Sequence, residues 1–195
     1  MKSQPAMGIS GGGQLLAILA INSLPEICPE RDYFSGVEEE FDNVGEVNFG
    51  KWRDKGKTLP QVLVADPDWF FWALDEGAFK GALATQAEKL ARRARSIKLP
   101  SALAGTHCVQ HWISHDGKYA RFDLIESDQG PHHGSSTEVR RSTLNMEFPR
   151  GIKHYDKLGC KQLMNSFKHH WFGGKPFNKA NVEAFFDNVA NFEDP

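Results

Sequence analysis

Four basic side chains within seven residues give this sequence its clearest chemical signal. They are Lys51, Arg53, Lys55 and Lys57. Lysine and arginine side chains bind the phosphates of nucleic acids, and the neighbouring Trp52 can stack on a base or a sugar. Gly50 and Gly56 permit a close approach of the backbone. The cluster therefore predicts contact with nucleic acid, and the alternative is a β-hairpin with a solvated basic tip and Trp52 in the core.

The residues that follow predict a helix that would hold this cluster in place. Asp66 suits the N-cap of a helix, and Pro67 suits its first position. Trp69 and Trp72 are three residues apart, so they share one face of that helix. We expect at least one of these tryptophans to be buried against the segment around Phe49. If the face is exposed instead, the two tryptophans form a docking surface for a protein partner.

Four motifs follow one another in this part of the chain: Phe49-Gly50-Lys51-Trp52, then Gly56-Lys57, then Asp66-Pro67, then Trp69–Leu74. In this order, the motifs of residues 47–74 resemble the small C-terminal module of exodeoxyribonuclease X-like proteins. The resemblance implies a module that binds nucleic acid. The exonuclease core of that family precedes the module and needs four carboxylates around two metals, and the 46 residues before Val47 are too few for it. We therefore expect the binding module without the nuclease activity.

A second basic group lies in a predicted helix over residues 79–97. Leu83, Ala87, Leu90 and Ala94 form an apolar stripe at helical spacing. The cations near the end of this helix either extend the basic surface that begins at Lys51 or interact favourably with the negative end of the helix dipole. Those that we assign as nucleic-acid contacts are Arg92, Arg93 and Arg95.

The C-terminal half predicts a small antiparallel sheet followed by two helices. Residues 108–114 and 119–126 alternate polar and apolar side chains around Asp116-Gly117, which is typical of a hairpin. Residues 128–136 form a polar loop, and a third strand is predicted over 143–148. The two helices are predicted over residues 156–172, with Leu158, Leu163, Met164 and Phe167 inward, and 178–192, with Val182, Phe185, Phe186 and Val189 inward.

All eight histidines lie between residues 107 and 170, which raises the question of a metal site. His107, His111 and His115 are four residues apart, but on the predicted strand this spacing separates neighbours by over ~13 Å, too far for one metal. His132 and His133 with nearby carboxylates are the remaining candidates for a nuclease-type site. We expect no bound metal, no cofactor and no catalytic residue.

The charge of the chain is unevenly distributed. The net charge is −2, but residues 1–46 carry two basic and eight acidic side chains, whereas the remainder carries 21 basic and 17 acidic ones. A mildly basic body favours an anionic partner. The excess is far below that of a protein that coats DNA.

Cysteine usage and hydropathy predict the compartment. The cysteines Cys28, Cys108 and Cys160 are far apart and form no CxxC pair, which argues against a zinc ribbon or a disulfide framework. The apolar run Leu15–Ile21 is too short to span a membrane. We therefore expect a cytoplasmic protein that has no membrane partner.

Together these features predict an α+β protein in three parts. They are a flexible, acidic N-terminal segment (1–43), a lobe with a small basic hairpin and helices that resembles the exonuclease X module (44–100), and a lobe with a small antiparallel sheet and C-terminal helices (106–195). The best-fitting function is a non-enzymatic, nucleic-acid-binding accessory protein of a phage or other mobile element.

Two alternative functions remain open. In the first, the protein is an interaction module or an inhibitor of a nucleic-acid-processing enzyme, with Trp69 and Trp72 as its docking surface and acidic residues 38–42 mimicking phosphate charge. In the second, it is a metal-dependent nuclease that uses His132 and His133. Binding to nucleic acid alone, binding to a protein alone and stoichiometric metal would distinguish the three hypotheses.

Overall fold

The described part of the computed structural model, Gly45–Glu193, contains five α-helices and one three-stranded antiparallel sheet. This confirms the predicted α+β class, with helices after the sheet. The predicted N-terminal segment, 1–43, lies outside the described residues. The elements in chain order are α1 (Leu59–Ala65), α2 (Pro67–Asp75), α3 (Ala82–Arg95), β1 (His107–Ile113), β2 (Tyr119–Glu126), β3 (Thr137–Arg141), α4 (Lys157–Phe172) and α5 (Lys179–Asp187).

The basic segment is a compact loop instead of two paired strands. A single antiparallel bridge joins Glu46 to Thr58, and the Val47 N–H donates to the carbonyl of Lys57 at 2.8 Å. Between these ends the chain forms a short 3-10 helix, Gly50–Trp52. We call residues 50–57 the basic loop.

Local signals at the helix starts explain how α1 and α2 follow this loop. The Gln61 side chain accepts a hydrogen bond from the Thr58 N–H at 3.2 Å, which satisfies a donor at the start of α1. The sequence patterns did not predict α1. Asp66 caps α2 as predicted, since its carboxylate accepts from the Trp69 N–H at 3.0 Å and Pro67 occupies the first position.

One hydrophobic core joins the two predicted lobes within a single compact unit. Phe70 and Phe71 of α2 are fully buried, as are the Ala87, Leu90 and Ala94 stripe of α3. Side chains from the C-terminal half complete the same core, among them Phe122, Leu144, Leu163, Phe167, Val182 and Phe186. Residues 45–100 and 106–193 therefore stabilise each other through shared apolar burial.

The strand order in the sheet is β2-β1-β3, with β1 in the centre. The predicted hairpin is confirmed, since β1 and β2 pair antiparallel with His111 opposite Phe122. The predicted third strand over 143–148 is wrong: among these residues only Leu144 forms an isolated bridge, to Ile97. The third strand is β3, whose residues are almost all polar or charged, so it lacks the apolar alternation on which the prediction depended.

The two C-terminal helices start as predicted. The Asp156 carboxylate accepts from the backbone N–H groups of Leu158 and Gly159, and the Asn178 side chain accepts from that of Asn181. The expected inward positions are partly wrong, because Leu158 is 61% exposed and Val189 is 50% exposed. Helix α4 packs on β2, and α5 packs on α1.

Candidate nucleic-acid interface

Trp52 holds the basic loop against α2. Its side chain is only 9% exposed, and its ring lies edge-on to that of Trp69 with 6.1 Å between the centroids. The ammonium groups of Lys51 and Lys55 lie 5.3 and 5.5 Å from the Trp52 ring centroid. The predicted stacking of Trp52 on a base is therefore inconsistent with this burial, and Trp52 occupies the core as in the alternative prediction.

The four cations of the basic loop differ in their environment. Arg53 and Lys55 are exposed and form no ion pair with any described residue, and Lys57 is half-buried. Lys51 pairs with the Asp66 carboxylate. Burial, followed by the nearby positive charge of Lys157, lowers the pKa of Lys51. Arg53 and Lys55 are thus the cations of the loop most available to an anion.

Two of the three predicted arginines in α3 have structural partners instead. Arg95 pairs with Glu147 at 2.7 Å, and its guanidinium lies 5.3 Å from the Phe71 ring. Arg93 donates a hydrogen bond to the carbonyl of Phe186, and burial lowers its pKa. Both side chains tie α3 to the C-terminal half, whereas Arg92 is exposed and has no such anchor within residues 45–193.

A cavity of about 640 Å³ opens beside the basic loop, and we call it the tryptophan cavity. It brings Lys51 together with Trp69 and Trp72, which the sequence placed in two separate hypotheses. Trp72 is 49% exposed, whereas Trp69 packs partly into the core. The residues that complete the lining are Asp66, Asp68, Arg150, Tyr155 and Lys157.

A hydrogen-bond network fixes the side of this cavity that the C-terminal half contributes. The Tyr155 hydroxyl donates to the Asp68 carboxylate, and burial together with this bond raises the pKa of Tyr155. Arg150 donates to the carbonyl of Asp68 at 2.9 Å and to the Asp75 carboxylate at 2.8 Å. The polar groups of the cavity are therefore held in place before any ligand binds, which reduces the entropy that binding would cost.

A second cavity, of about 560 Å³, adjoins the tryptophan cavity along α4, and we call it the lysine groove. The two cavities share Asp66 and Lys157. Lys157, Lys161 and Lys168 line the groove, and their spacings of four and seven residues place them on one face of α4. Five basic and two acidic side chains line the two cavities together, so the combined surface is positively charged although the chain has a net charge of −2.

Sequence reasoning missed these lysines, although a signal was present. Their periodicity matches the α-helical repeat, and the helix itself was predicted. Nothing local indicated that this face of α4 would lie beside Asp66 and the basic loop. The neighbourhood depends on the packing of α2 against α4.

The histidines considered for a metal site do not form such a site among the described residues. His111 is fully buried and stacks on Phe148 with 3.9 Å between the ring centroids. His132 is exposed and packs edge-on against Trp112. Among residues 45–193, no group of three histidine, cysteine or acidic side chains is arranged to hold a metal ion.

We expect Gly50→Ala to destabilise the fold by about 2 kcal/mol. Gly50 has a φ of 56°, which costs other residues about 1–2 kcal/mol, and an added Cβ would lie 3.2 Å from the Trp69 ring. Gly56→Ala is a matched control, because its φ is also 56° but the nearest atom would lie 3.9 Å away. Urea unfolding measures both losses, and a Gly56 variant that loses as much stability as the Gly50 variant would contradict the role of the Trp69 contact.

A search for membrane-spanning helices and three comparisons with known proteins complete the description. None of the helices among the described residues is both long enough and apolar enough to cross a membrane. Comparison of the chain with protein-family models, with curated proteins and with solved structures gives no match. The resemblance of residues 47–74 to the exonuclease X module therefore stays a prediction.

Proposed function

We propose that the protein is a non-enzymatic, nucleic-acid-binding accessory protein whose basic loop contacts phosphates. The observation that supports this most directly is the exposure of Arg53 and Lys55 on a loop that buried Trp52 anchors. Such cations can neutralise phosphates without first breaking an ion pair to another described residue. Because the loop is fixed by core packing, little conformational entropy would be lost on binding.

The positive surface continues from the loop into the two cavities. Lys51 lines the tryptophan cavity, and Lys157, Lys161 and Lys168 follow along the lysine groove. A track of cations attracts a polyanion more strongly than an isolated pair does, because each phosphate that is neutralised releases counterions. Arg92 stays a contact candidate of α3, because it is exposed and is not anchored to a described residue as Arg93 and Arg95 are. Arg93 and Arg95 do not form part of this proposal.

The proposal predicts that Arg53→Ala with Lys55→Ala weakens binding to nucleic acid equally across sequences. Two lost phosphate contacts should reduce the slope of log K against log salt by about 1.8 for duplex DNA, at about 0.9 per contact. Fluorescence anisotropy over a salt series measures this slope. Circular dichroism should be unchanged, since both side chains are exposed.

Lys98→Ala with Lys179→Ala is the matched control for this experiment, because both lysines are exposed and form no ion pair with a described residue. It removes the same charge from exposed positions that line neither the tryptophan cavity nor the lysine groove. The control should keep the wild-type slope. Wild-type protein that binds neither DNA nor RNA at low salt would overturn the proposed function, and an equal loss in the control would assign the effect to net charge alone.

Half-exposed Trp72 supports a second candidate function, a protein-docking module. A large exposed aromatic side chain is typical of interface hot spots. In this version a purified protein partner binds, binding is lost in Trp72→Ala, and the basic-loop variant binds normally. The acidic residues 38–42 that would mimic phosphate lie outside the described residues.

The proposal also includes a location and an origin. The two described cysteines, Cys108 and Cys160, are free thiols, which fits a reducing cytoplasm. An accessory role in a phage or other mobile element is the biological setting that we propose. Elemental analysis of untagged native protein tests the nuclease alternative, because a site at His132 and His133 requires stoichiometric metal.

A further inference from the structure

We infer that the tryptophan cavity and the lysine groove together bind a single strand, with one unpaired base on Trp72 and the following phosphates along α4. This inference rests on the proposed function and names the form of nucleic acid that the site takes. It requires a surface on which a base can stack, a row of cations that continues from that surface, and a recess that a duplex cannot enter. The structure has a feature for each requirement.

Trp72 supplies the surface for a base. Trp72 is half exposed and lines the tryptophan cavity, and its ring contacts that of Trp69 at a tilt of 49°, with 6.5 Å between the centroids. Base stacking on an exposed aromatic side chain needs an unpaired base, since the faces of duplex bases are covered by their neighbours. An exposed ring that is held by such a contact can accept a base without first changing its conformation.

The size of the cavity fits one small ligand unit. Its volume of about 640 Å³ lies in the range of about 300–1,000 Å³ that is typical of small-molecule sites. The cavity is concave and lies between α2 and the segment around Arg150 and Tyr155. A single nucleotide can enter such a recess, whereas a double helix would contact only its rim.

The lysine groove supplies the path for the strand beyond this nucleotide. Lys168 lies eleven positions after Lys157 in α4, which corresponds to ~16 Å along the helix at ~1.5 Å per residue. Lys161 lies between them on the same face. A row of cations over this distance can follow several consecutive phosphates of an extended strand.

The carboxylates at and beside this site all have partners that reduce their repulsion of a phosphate. Lys51 neutralises Asp66, and Arg150 neutralises Asp75. Asp68 accepts a hydrogen bond from Tyr155. Burial, and after it the positive charge of Lys157, lowers the pKa of Lys51. Both lysines line the tryptophan cavity, so a phosphate bound there would reduce the repulsion between them.

The experiment compares a labelled single strand that cannot pair with itself with a blunt duplex of the same length. Both are measured at the same salt concentration. Wild type should bind the single strand more tightly, and Trp72→Ala should weaken single-strand binding by about tenfold while leaving duplex binding within about twofold. Trp72→Phe should recover part of the loss. Lys157→Ala with Lys161→Ala should reduce the single-strand salt slope by about 1.4, at about 0.7 per contact.

Matched controls separate these effects from exposure and charge. Leu158→Ala truncates another exposed apolar side chain of the same surface region without lining the cavity, and it should bind as wild type does. Lys98→Ala with Lys179→Ala controls for the loss of two charges. Melting temperatures of all variants confirm that each is folded.

The outcomes distinguish this inference from the proposed function. If duplex and single strand bind equally and Trp72→Ala does not change the affinity for the single strand, the single-strand site is overturned. The basic loop would then still be a phosphate contact. A Trp72→Ala variant that loses a protein partner and keeps full single-strand affinity also overturns the single-strand site, in favour of the docking module. No binding of any nucleic acid by wild type overturns both proposals.

Discussion

Trp69→Ala is expected to lower the free energy of unfolding by about 3 kcal/mol, the low end of the range for aromatic side chains in a core, because Trp69 is partly buried. The Trp69 ring contacts those of Phe49, Trp52 and Phe79, with centroids 5.5, 6.1 and 6.2 Å away. Its loss removes the contacts through which the basic loop packs on α2. Denaturation in urea, followed by circular dichroism, measures the change.

Trp72→Ala is the matched comparison for Trp69→Ala. The two residues have the same side chain on the same helix, but Trp72 is half exposed, so its removal should cost less than about 1 kcal/mol. Trp69→Ala should also weaken nucleic-acid binding through the loosened basic loop. Equal stability losses in the two variants would contradict this division into a packing residue and a contact residue.

The parts of the fold that could be predicted are those with local signals. Asp66, Asp156 and Asn178 each cap a helix with a side chain that accepts from a backbone N–H two or three residues later. Such contacts need only a few consecutive residues, so the sequence displays them directly. The β1–β2 hairpin is predictable for the same reason, since its turn and its alternation are adjacent in the chain.

The elements that could not be predicted depend on distant partners. β3 has little apolar pattern of its own and exists because it pairs with β1, for instance through Trp112 and Glu138. Conversely, the alternation over residues 143–148 arises because Leu144 and Met146 are buried in the shared core, although these residues do not form a strand in the sheet. Burial on one side produces the same apolar alternation in a strand of a sheet and in a segment that is not a strand. Periodicity alone therefore cannot distinguish the two.

The site shows the same limit. Lys51 and Trp72 could be selected from residue type and spacing, but their association with Arg150 and Tyr155 depends on contacts across 82 and 87 residues of sequence. Arg93 and Arg95 of α3 are the opposite case, since residue type and spacing selected them but each has a distant structural partner. A cation near a helix end has the same sequence pattern whether it faces solvent or, like Arg95, pairs with a distant glutamate.

Lowering the pH from 7 to 5 is expected to remove about 2 kcal/mol of stability through His111 alone. His111 is fully buried, its Nδ1 lies 3.2 Å from the Tyr119 hydroxyl, and its Nε2 has no hydrogen-bond partner among the described residues. Burial, followed by the charge of Arg141, lowers the pKa of His111 from 6.5 to about 4. Between these two values the unfolded chain binds a proton that the folded chain excludes, so stability is present above pH 6.5 and falls as the pH falls toward 4.

The control for this pH dependence is His111→Gln, which keeps a polar partner near Tyr119 but does not titrate. The variant should be less stable than wild type at pH 7. Between pH 7 and 5, the loss of stability in the variant should be smaller than the loss in wild type by about 2 kcal/mol. Other groups that titrate in this range, such as His170, whose pKa is also lowered by burial, contribute equally to both proteins and cancel in the difference. Urea unfolding at a series of pH values measures the two slopes. Parallel slopes would show that His111 accepts its proton without unfolding, and would contradict a buried, neutral imidazole at this position.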